Sequence, residues 1–329
     1  MSISCRVTRG DLTESIHVAF AVIVDSSGSP FFATGDHQYV TCARSALKPF
    51  QAASIVETGA FEKAGFVEEE LALMCASHNG ESIHVDTAKS MLSKLGLTSK
   101  DYRCGSHYPY DISSKNMLIK KADSPQPYHN NCSGKHAGML ALARYLSADL
   151  SDYLNEEHPV QKTIFEYIKN LINLDEIHIA VDGCTAPTPF LSLQNIATMF
   201  QKLADGSKPS LNRVFKAMSN HPQLVGGTGH FDTSFIKSMR GRGITKVGGE
   251  SVRGIALKTK EHGPLGIAIK ILDGNLRAMP IAVMALVEHL ELLTHDELKR
   301  LDKYRKKILT NHNGIEVGNS LCKKSIIRL

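Results

Sequence analysis

Several features that would place a chain in a special class are missing from this sequence. The 329 residues include no tryptophan, no internal repeat and no low-complexity tract. No apolar run reaches the length of about 18 residues that a membrane-spanning helix needs, so no membrane span is expected. The first apolar stretch is preceded by Asp11 and Glu14, which argues against a signal peptide. The absence of tryptophan by itself excludes no function.

Charge and cysteine content indicate which partners and which cellular compartment to expect. The formal net charge is +5, and Lys and Arg cluster only at 299–307 and 322–328. So small an excess, without one basic face, does not predict nucleic-acid binding. The seven cysteines are odd in number and form no CxxC motif. That pattern favours free thiols in a reducing compartment, so we expect a cytoplasmic protein.

Two glycine-rich turns, at 226–230 and 248–251, match neither a P-loop nor a dinucleotide fingerprint. Nucleotide binding is rejected on that ground. With 42% hydrophobic residues, the chain is long enough to bury a sizeable core. We therefore expect a single catalytic unit over residues 1–329.

Strand patterns lie at both ends of the chain and helical patterns in the middle. Predicted strands lie at 15–25, 31–34, 176–181, 244–247, 253–259 and 266–272, and the last three are expected to be antiparallel. Predicted helices lie at 46–58, 68–75, 82–95, 135–146, 159–174, 191–204, 211–219, 275–293 and 295–309, and much of 105–129 is interpreted as loop. The pattern predicts an α+β fold. Its antiparallel sheet, built from both chain ends, forms a subdomain of about 1–44 and 175–329 flanked by helices, with an inserted helical subdomain of about 45–174.

Ser45 is the first candidate for chemistry. It precedes Lys48 by three residues at the start of a predicted helix, so the two side chains face the same way. A neutral lysine amine can remove the serine proton, and a helix N-terminus favours a developing oxyanion. The same Ser-x-x-Lys spacing recurs at Ser234/Lys237 and Ser320/Lys323. Spacing alone therefore does not distinguish a nucleophile from a helix N-cap.

Other polar clusters follow along the chain, and each also fits a plain structural role. Residues 76–81 and 130–136 are dense in polar side chains but could be loops that cap the next helix. The Asp182-Gly183-Cys184 run ends a strand that is predicted to be buried, where active-site residues often lie. Lys258 closes a predicted strand, where a solvated lysine is the commoner case.

Cys132, Lys135 and Cys184 raise the question of a metal. Two thiolates suit zinc, whereas a lysine ligand must first lose its proton. From these residues alone, buried structural cysteines are the simpler interpretation, because cysteine is among the most buried residue types.

Six runs, taken together and in order, resemble one known family. They are ARSALKPFQ at 43–51, CASHNGE at 75–81, NCSGKHAGM at 131–139, DGC at 182–184, GTG at 227–229 and KVGGE at 246–250. The chain resembles the Rhizobium etli-type L-asparaginases, the class 3 or asparaginase II family, from about residue 5 to about residue 290. No departure is found at the motif positions.

The resemblance implies a fold similar to serine β-lactamases and penicillin-binding proteins, a homodimer, and hydrolysis of L-asparagine to L-aspartate and ammonia. It implies that Ser45 is the nucleophile, Lys48 its base, and Ser77 with Lys258 a second Ser–Lys pair. It makes zinc the favoured interpretation of Cys132, Lys135 and Cys184. Substrate-binding roles are implied for matched residues of the pocket: Arg44, Asn79, His136, Asp182 and Gly249.

Three other functions remain open at this point. The chain could be a β-lactamase-like serine acyl hydrolase that shares the Ser–Lys chemistry. It could be a non-catalytic asparagine sensor, or a metallohydrolase that uses zinc-bound water. Preference for asparagine over glutamine depends on about one methylene of pocket length, which the sequence does not fix.

Overall fold

The computed structural model describes residues 2–322. Lys323 of the third Ser-x-x-Lys match, and the basic run at 322–328 beyond Cys322, lie outside the described residues. The chain divides into two compact units, the first of residues 1–41, 191–205 and 238–329 and the second of residues 42–190 and 206–237. Within the described part, no helix is both long and apolar enough to cross a membrane.

The described strands and helices alternate in blocks along the chain. The strands are β1 (Ile3–Arg9), β2 (Leu12–Val24), β3 (Pro30–Thr34), β4 (Val40–Cys42), β5 (Ile179–Val181), β6 (Pro187–Ser192), β7 (Gly243–Gly248), β8 (Val252–Lys258), β9 (Pro264–Ile271), β10 (Lys306–Thr310) and β11 (Glu316–Cys322). The helices are α1 (Lys48–Glu57), α2 (Ala60–Lys63), α3 (Glu68–Met74), α4 (Ser82–Lys94), α5 (Ile112–Lys120), α6 (Ser133–Tyr145), α7 (Pro159–Ile172), α8 (Leu193–Asp205), α9 (Pro209–Asn220), α10 (Pro222–Val225), α11 (Phe231–Met239), α12 (Met279–His289) and α13 (His295–Arg300).

The first unit is built on an antiparallel sheet from both chain ends. Its strand order is β10-β11-β1-β2-β9-β8-β7, with β3 paired to β2. The N-terminal strand β1 therefore lies between β2 and the C-terminal strand β11. Helices α8 and α12 pack on this sheet, α8 on β8 and β9 and α12 on β1 and β11. The predicted α+β fold, with an antiparallel sheet flanked by helices, is confirmed.

Period-two burial shows that β1 has one buried face and one partly exposed face. Ile3, Cys5 and Val7 are buried, and the residues between them are only partly so. By contrast, β9 is buried at nearly every position. A strand that is buried on both faces needs cover on both faces, and helices supply it.

Helix α8 approaches the sheet closely because β8 and β9 have glycines, Gly254 and Gly266, where they face the helix. A methyl group on Gly266 would lie 1.9 Å from the Ala197 carbonyl oxygen and 2.2 Å from the Gln201 nitrogen. A methyl group on Gly254 would overlap the ring of Phe200. The contact of α8 with β8 and β9 therefore requires that Gly254 and Gly266 have no side chain.

The second unit is a helical assembly around α1. Nine of the ten residues of α1 are buried, which a surface amphipathic helix would not show. Helices α6, α7 and α9 pack against it, and α3 packs on α6 and α9. A methyl group on Gly134 would lie 2.3 Å from the Leu73 carbonyl oxygen, so the start of α6 also needs glycine to approach α3. Strand β5 pairs antiparallel with β6.

The helical subdomain was predicted at about 45–174, whereas the compact unit also takes in residues beyond β5. Helix α9 packs on α1 and α3, which joins residues 206–237 to the same unit. Such long-range packing carries no local sequence signal.

Two local predictions were wrong, and the interpretation of much of 105–129 as loop missed one helix. The segment 105–129 contains α5, which has no buried residue and therefore lacks the apolar stripe that would reveal a helix. The helix predicted at 295–309 ends at Arg300 and gives way to strand β10, because β10 pairs with β11. The strand predicted at 176–181 covers only Ile179–Val181 and is not buried, since Val181 is 72% exposed.

Replacing Gly266 with alanine should destabilise the protein. The new methyl group would overlap the backbone of α8, which cannot rotate away, so we expect a loss of about 3 kcal/mol in the free energy of unfolding. Urea unfolding of Gly266→Ala measures this.

Gly28→Asn is the matched control, because nothing lies within 4 Å of its methyl position and asparagine tolerates a positive φ. Equal stability of wild type and Gly266→Ala would contradict the packing described for α8.

Candidate active site

Ser45 lies in a short 3-10 turn, Arg44–Leu47, that leads directly into α1. Arg44 has a φ of 48°, a left-handed conformation that costs a non-glycine residue about 1–3 kcal/mol. The Ala43 N–H donates to the Pro189 carbonyl and fixes the entry to the turn. Ser45 is partly exposed, and within the described residues its hydroxyl has no hydrogen-bond partner. The strained turn thus presents a serine hydroxyl at the start of a buried helix.

Lys48 begins α1 and is buried, with a side chain that is 1% exposed. Its Nζ lies 2.5 Å from the Ala76 carbonyl oxygen, 3.1 Å from Ser77 Oγ and 3.3 Å from the Asn131 carbonyl oxygen. A buried amine needs such acceptors, because removing a charge from water is costly unless hydrogen bonds replace the solvent. The first turn of α1 is thereby tied to both predicted polar clusters.

The three acceptors determine what this amine can do. The two carbonyl oxygens can only accept, so each takes one N–H from Lys48. A neutral amine would then have its lone pair directed at Ser77 Oγ, whereas an ammonium would donate its third N–H there. Lys48 and Ser77 are therefore placed to exchange a proton.

Backbone hydrogen bonds hold Ser77 in this position. The Ser77 N–H donates to the Val225 carbonyl, the His78 N–H to the Asn131 carbonyl and the Asn79 N–H to the Gly226 carbonyl. Asn79 also donates its side-chain amide to the Thr228 carbonyl, 3.1 Å away. The GTG run at 227–229 thus holds the Ser77 segment in place. In the structure, the side chain of Asn79 is one of the groups that make this contact.

His78 is a residue that the sequence reasoning did not single out. Its ring is fully buried; Nδ1 accepts from the Gly80 N–H, so Nε2 donates to Ser133 Oγ at 2.9 Å. Burial, together with the nearby His84 and Lys48, holds the pKa of His78 well below its usual range. A neutral His78 therefore links the Ser77 segment to the start of α6. Its position inside the 75–81 run was the only available signal.

Arg44 and Asp182 form an ion pair beside the strained turn. Arg44 Nε donates to Asp182 Oδ1 at 2.6 Å, and the Gly183 N–H donates to the same oxygen at 2.7 Å. The Asp182 side chain is 9% exposed and that of Arg44 30%. One positive and one negative group are thus fixed side by side, with the guanidinium partly open to solvent.

Cys132, Lys135 and Cys184 lie close together in the second unit. All three are at least nine-tenths buried, and Lys135 Nζ lies 3.0 Å from Cys184 Sγ. A hydrogen bond from the Cys132 thiol, with the charge of Lys135, holds the pKa of Cys184 well below its usual range. Burial opposes charge on Lys135, but the two sulfurs outweigh it and raise the pKa of that amine. These shifts favour charge on Cys184 and Lys135 over charge on Cys132.

His136 adds an unsatisfied nitrogen to the same region. Its Nδ1 is 2.8 Å from the Tyr153 hydroxyl, while its buried Nε2 has no hydrogen-bond partner among the described residues. Burial and the charge of Lys135 lower the pKa of His136 to about 4. A neutral imidazole therefore lies between Tyr153 and the sulfur of Cys184.

The donor atoms of this cluster are two sulfurs and one amine nitrogen. Thiolates suit zinc, whereas the amine must first lose its proton. Within the described part of the chain, no group of three or more His, Cys, Asp or Glu could hold a metal. A zinc ion here would therefore depend on Lys135 as its third ligand.

Lys258 and Gly249 lie in the first unit, and their predicted roles stay predictions. Lys258 ends β8, where its N–H donates to the Arg242 carbonyl and its carbonyl accepts from Arg242 Nη1 at 2.8 Å. Arg242 is in turn bound by Glu297 through two hydrogen bonds of 3.0 and 2.6 Å. Gly249 opens a turn in which Glu250 has a φ of 56°. The backbone at Lys258 is thus fixed by a partly buried ion pair.

The second Ser-x-x-Lys match has a different environment. Ser234 and Lys237 lie within α11, and Lys237 Nζ donates to the side chain of Gln223 at 3.1 Å. Spacing alone did not distinguish this match from Ser45/Lys48. The burial of Lys48 distinguishes the two matches, because Lys237 is exposed.

The model of the L-asparaginase II family matches residues 5–321, nearly the whole chain. The chain belongs to the L-asparaginase II family. Membership supports a hydrolase, in agreement with the resemblance found in the six runs. A comparison with curated protein sequences found no match.

Solved structures similar to this member of the L-asparaginase II family include serine β-lactamases. A β-lactamase from Francisella tularensis shares 15% identity over 78% of this chain and 84% of its own, with a TM-score of 0.38. A class A β-lactamase from Bacteroides cellulosilyticus shares 10% identity over 88% and 92%, with a TM-score of 0.41. The native form of Mglu shares 14% identity over 85% and 63%, with a TM-score of 0.38. These likenesses bear on neither substrate nor mechanism.

Replacing Glu297 with glutamine should weaken the anchor at Lys258 in a pH-dependent way. Burial raises the pKa of Glu297, but hydrogen bonds from Arg242 and Thr294 outweigh it and leave the pKa below its usual value. The carboxylate therefore contributes stability above its unfolded pKa, and this contribution is lost as the pH falls. At pH 7 we expect Glu297→Gln to lose about 1–3 kcal/mol in urea unfolding, with a smaller loss towards pH 4.

Glu261→Gln is the control, because the side chain of Glu261 is 88% exposed. A loss at Glu297 that stays constant on acidification would contradict the ion pair.

Proposed function

We propose that this chain is an L-asparagine amidohydrolase of the Rhizobium etli type, which converts L-asparagine and water to L-aspartate and ammonia. Family membership supports the reaction. The observation that carries the proposal is the buried Lys48 amine, which starts the helix that follows Ser45 and lies 3.1 Å from Ser77 Oγ.

Acylation begins at Ser45. Its hydroxyl attacks the side-chain amide carbon of asparagine, and Lys48 in its neutral form accepts the proton. The N–H groups at the start of α1 favour the negative charge on the oxygen of the tetrahedral intermediate. Because Ser45 is not hydrogen-bonded to the amine at rest, substrate binding has to bring the hydroxyl and the amine together.

Ser77 completes the proton path. After acylation starts, Lys48 carries the proton that Ser45 has lost, and Ser77 Oγ is one of its three acceptors. Ser77 can receive this proton and pass its own to the departing nitrogen, so that ammonia leaves as a neutral molecule. Water then hydrolyses the aspartyl ester by the reverse route. Lys258 is proposed as the lysine of the second Ser–Lys pair, with Ser77.

Substrate recognition follows from charge complementarity. The α-carboxylate of asparagine needs a cation and its α-ammonium an anion, and the Arg44–Asp182 pair offers one of each. Among the remaining proposed contacts, Asn79 lies on the Ser77 segment, His136 offers an unpaired Nε2 and Gly249 opens the turn at the end of β7.

Zinc is proposed at Cys132, Lys135 and Cys184. A bound zinc ion supplies a fixed positive charge that can orient a carboxylate or carbonyl oxygen. The residues themselves determine the conditions for loading, because Lys135 must give up a proton that the neighbouring thiolate retains. Ser45 remains the attacking group in this proposal.

We further propose a cytoplasmic homodimer. The support is the resemblance for the dimer, and for the compartment the odd number of cysteines without a CxxC motif.

Ammonia release from L-asparagine tests the nucleophile. The wild type should release ammonia, and Ser45→Ala should lower kcat by about 10³-fold or more, because no other group replaces the attacking oxygen. Ser234→Ala is the matched control, since Ser234 has the same Ser-x-x-Lys spacing, and its activity should equal that of the wild type.

Other outcomes separate the alternatives. Nitrocefin turnover without ammonia release would favour a β-lactamase-like acyl hydrolase. Saturable asparagine binding without turnover would favour a sensor. Activity that survives in Ser45→Ala but disappears with a chelator would favour a metallohydrolase. Each of these results would contradict the proposal.

Metal analysis of the purified protein tests the zinc proposal independently of activity. We expect about one zinc per wild-type chain and a large loss in Cys184→Ser, because a serine hydroxyl is a poor zinc ligand. Cys42→Ser is the control, since Cys42 is hydrogen-bonded to Thr188 and belongs to no metal cluster. Equal zinc in Cys184→Ser and the wild type would overturn the assignment.

A further inference from the structure

Two cysteines that the proposed chemistry does not use face each other across neighbouring strands of the first unit. Cys5 on β1 is the register partner of Cys322 on β11, and the two strands are antiparallel. Directly opposed residues of an antiparallel pair point to the same face of the sheet. Their Cα atoms in such a pair lie about 4.5–5.5 Å apart, within the range that a disulfide bridges.

Burial separates the two thiols into distinct roles. Cys5 is completely buried, and its sulfur lies 3.9 Å from the Ala278 carbonyl oxygen at the start of α12. Cys322 is only partly buried. A hydrogen bond from the Cys5 thiol lowers the pKa of Cys322, whereas the same hydrogen bond, with burial, raises that of Cys5. An oxidant would therefore meet the thiolate of Cys322 first, with Cys5 held behind it.

A bond between these two cysteines would strengthen the attachment of β11 to the sheet. The β10–β11 hairpin joins the sheet through the pairing of β11 with β1, which spans only residues 5–7 of β1. By comparison, β1 pairs with β2 along the whole of Ile3–Arg9. A covalent bond between Cys5 and Cys322 would reinforce the short pairing of β1 with β11. It would also link two residues that are far apart in sequence.

We propose that Cys5 and Cys322 form a reversible cross-strand disulfide when the protein meets a low-molecular-weight disulfide such as oxidised glutathione. The Cys322 thiolate attacks the oxidant and forms a mixed disulfide, which releases one glutathione thiolate. Cys5 then loses its proton and attacks Cys322 Sγ, which releases the second glutathione. Overall, two protein thiols and one oxidised glutathione give one protein disulfide and two reduced glutathiones.

The sequence makes the bond easy to locate by mass spectrometry. Cleavage after Arg6, Lys307 and Lys323 gives peptides 1–6 and 308–323, each of which contains a single cysteine. The full-length protein is incubated with oxidised glutathione, its remaining thiols are alkylated, and it is digested with trypsin. We expect the two peptides to appear cross-linked, with two hydrogens fewer than their sum, and to separate after dithiothreitol.

Thermal unfolding provides the second measurement. The oxidised wild type should unfold at a temperature higher by about 5 °C, because the bond restricts the unfolded chain over nearly its whole length. Cys322→Ser should show neither the cross-link nor the shift. Cys42→Ser should keep both, since Cys42 is a partly exposed cysteine that belongs to neither this pair nor the proposed zinc site.

Two results would overturn the proposal. One is alkylation of both Cys5 and Cys322 after oxidation of the wild type. The other is a stable glutathione adduct on Cys322 without a cross-link to Cys5. Neither measurement uses asparagine, so the outcome is independent of the proposed activity.

Discussion

The hydrogen bonding of one buried amine organises the second unit. Lys48 is 1% exposed, so its N–H groups need acceptors from the protein, and these come from the backbone of Ala76 and Asn131 and from the Ser77 hydroxyl. Three segments that are distant in sequence must therefore meet at one point. Three other features hold these segments together. They are the strained turn at Arg44, the pairing of the Ser77 segment with residues 225–228 and the hydrogen bonds of the neutral His78. The same contacts that satisfy the amine also place it beside a serine oxygen, so stability and chemistry rest on one set of atoms.

Most of the regular structure follows from local patterns. The apolar stripe of α8 shows the period from which that helix was predicted, whereas β1 was not among the predicted strands although its burial alternates. The errors lie where another part of the chain decides the outcome. Helix α5 buries nothing, and β10 is a strand because β11 pairs with it. The packing of α9 on α1 likewise has no counterpart in a short window of sequence. A single sequence records periodicity well and long-range pairing poorly.

The candidate site was predictable only in part, for a related reason. Spacing gave three Ser-x-x-Lys matches of equal weight, and the resemblance rather than the spacing selected Ser45 and Lys48. The structure adds what neither could supply: Lys48 is buried against Ser77, whereas Lys237 is hydrogen-bonded to Gln223. His78 was overlooked because a histidine in a polar run has no signature of its own; its role depends on Gly80 and on Ser133, 55 residues away in sequence.

In the proposed mechanism Ser45 supplies the attacking oxygen, and Lys48 and Ser77 transfer the proton, although the resting structure places the amine against Ser77. Acid quenching of the enzyme during turnover of L-asparagine, followed by peptide mapping, tests this division most directly. We expect an aspartyl ester on the peptide that contains Ser45, and its accumulation when deacylation is slowed. An ester on Ser77, or turnover in the first milliseconds without any acylated peptide, would contradict this mechanism.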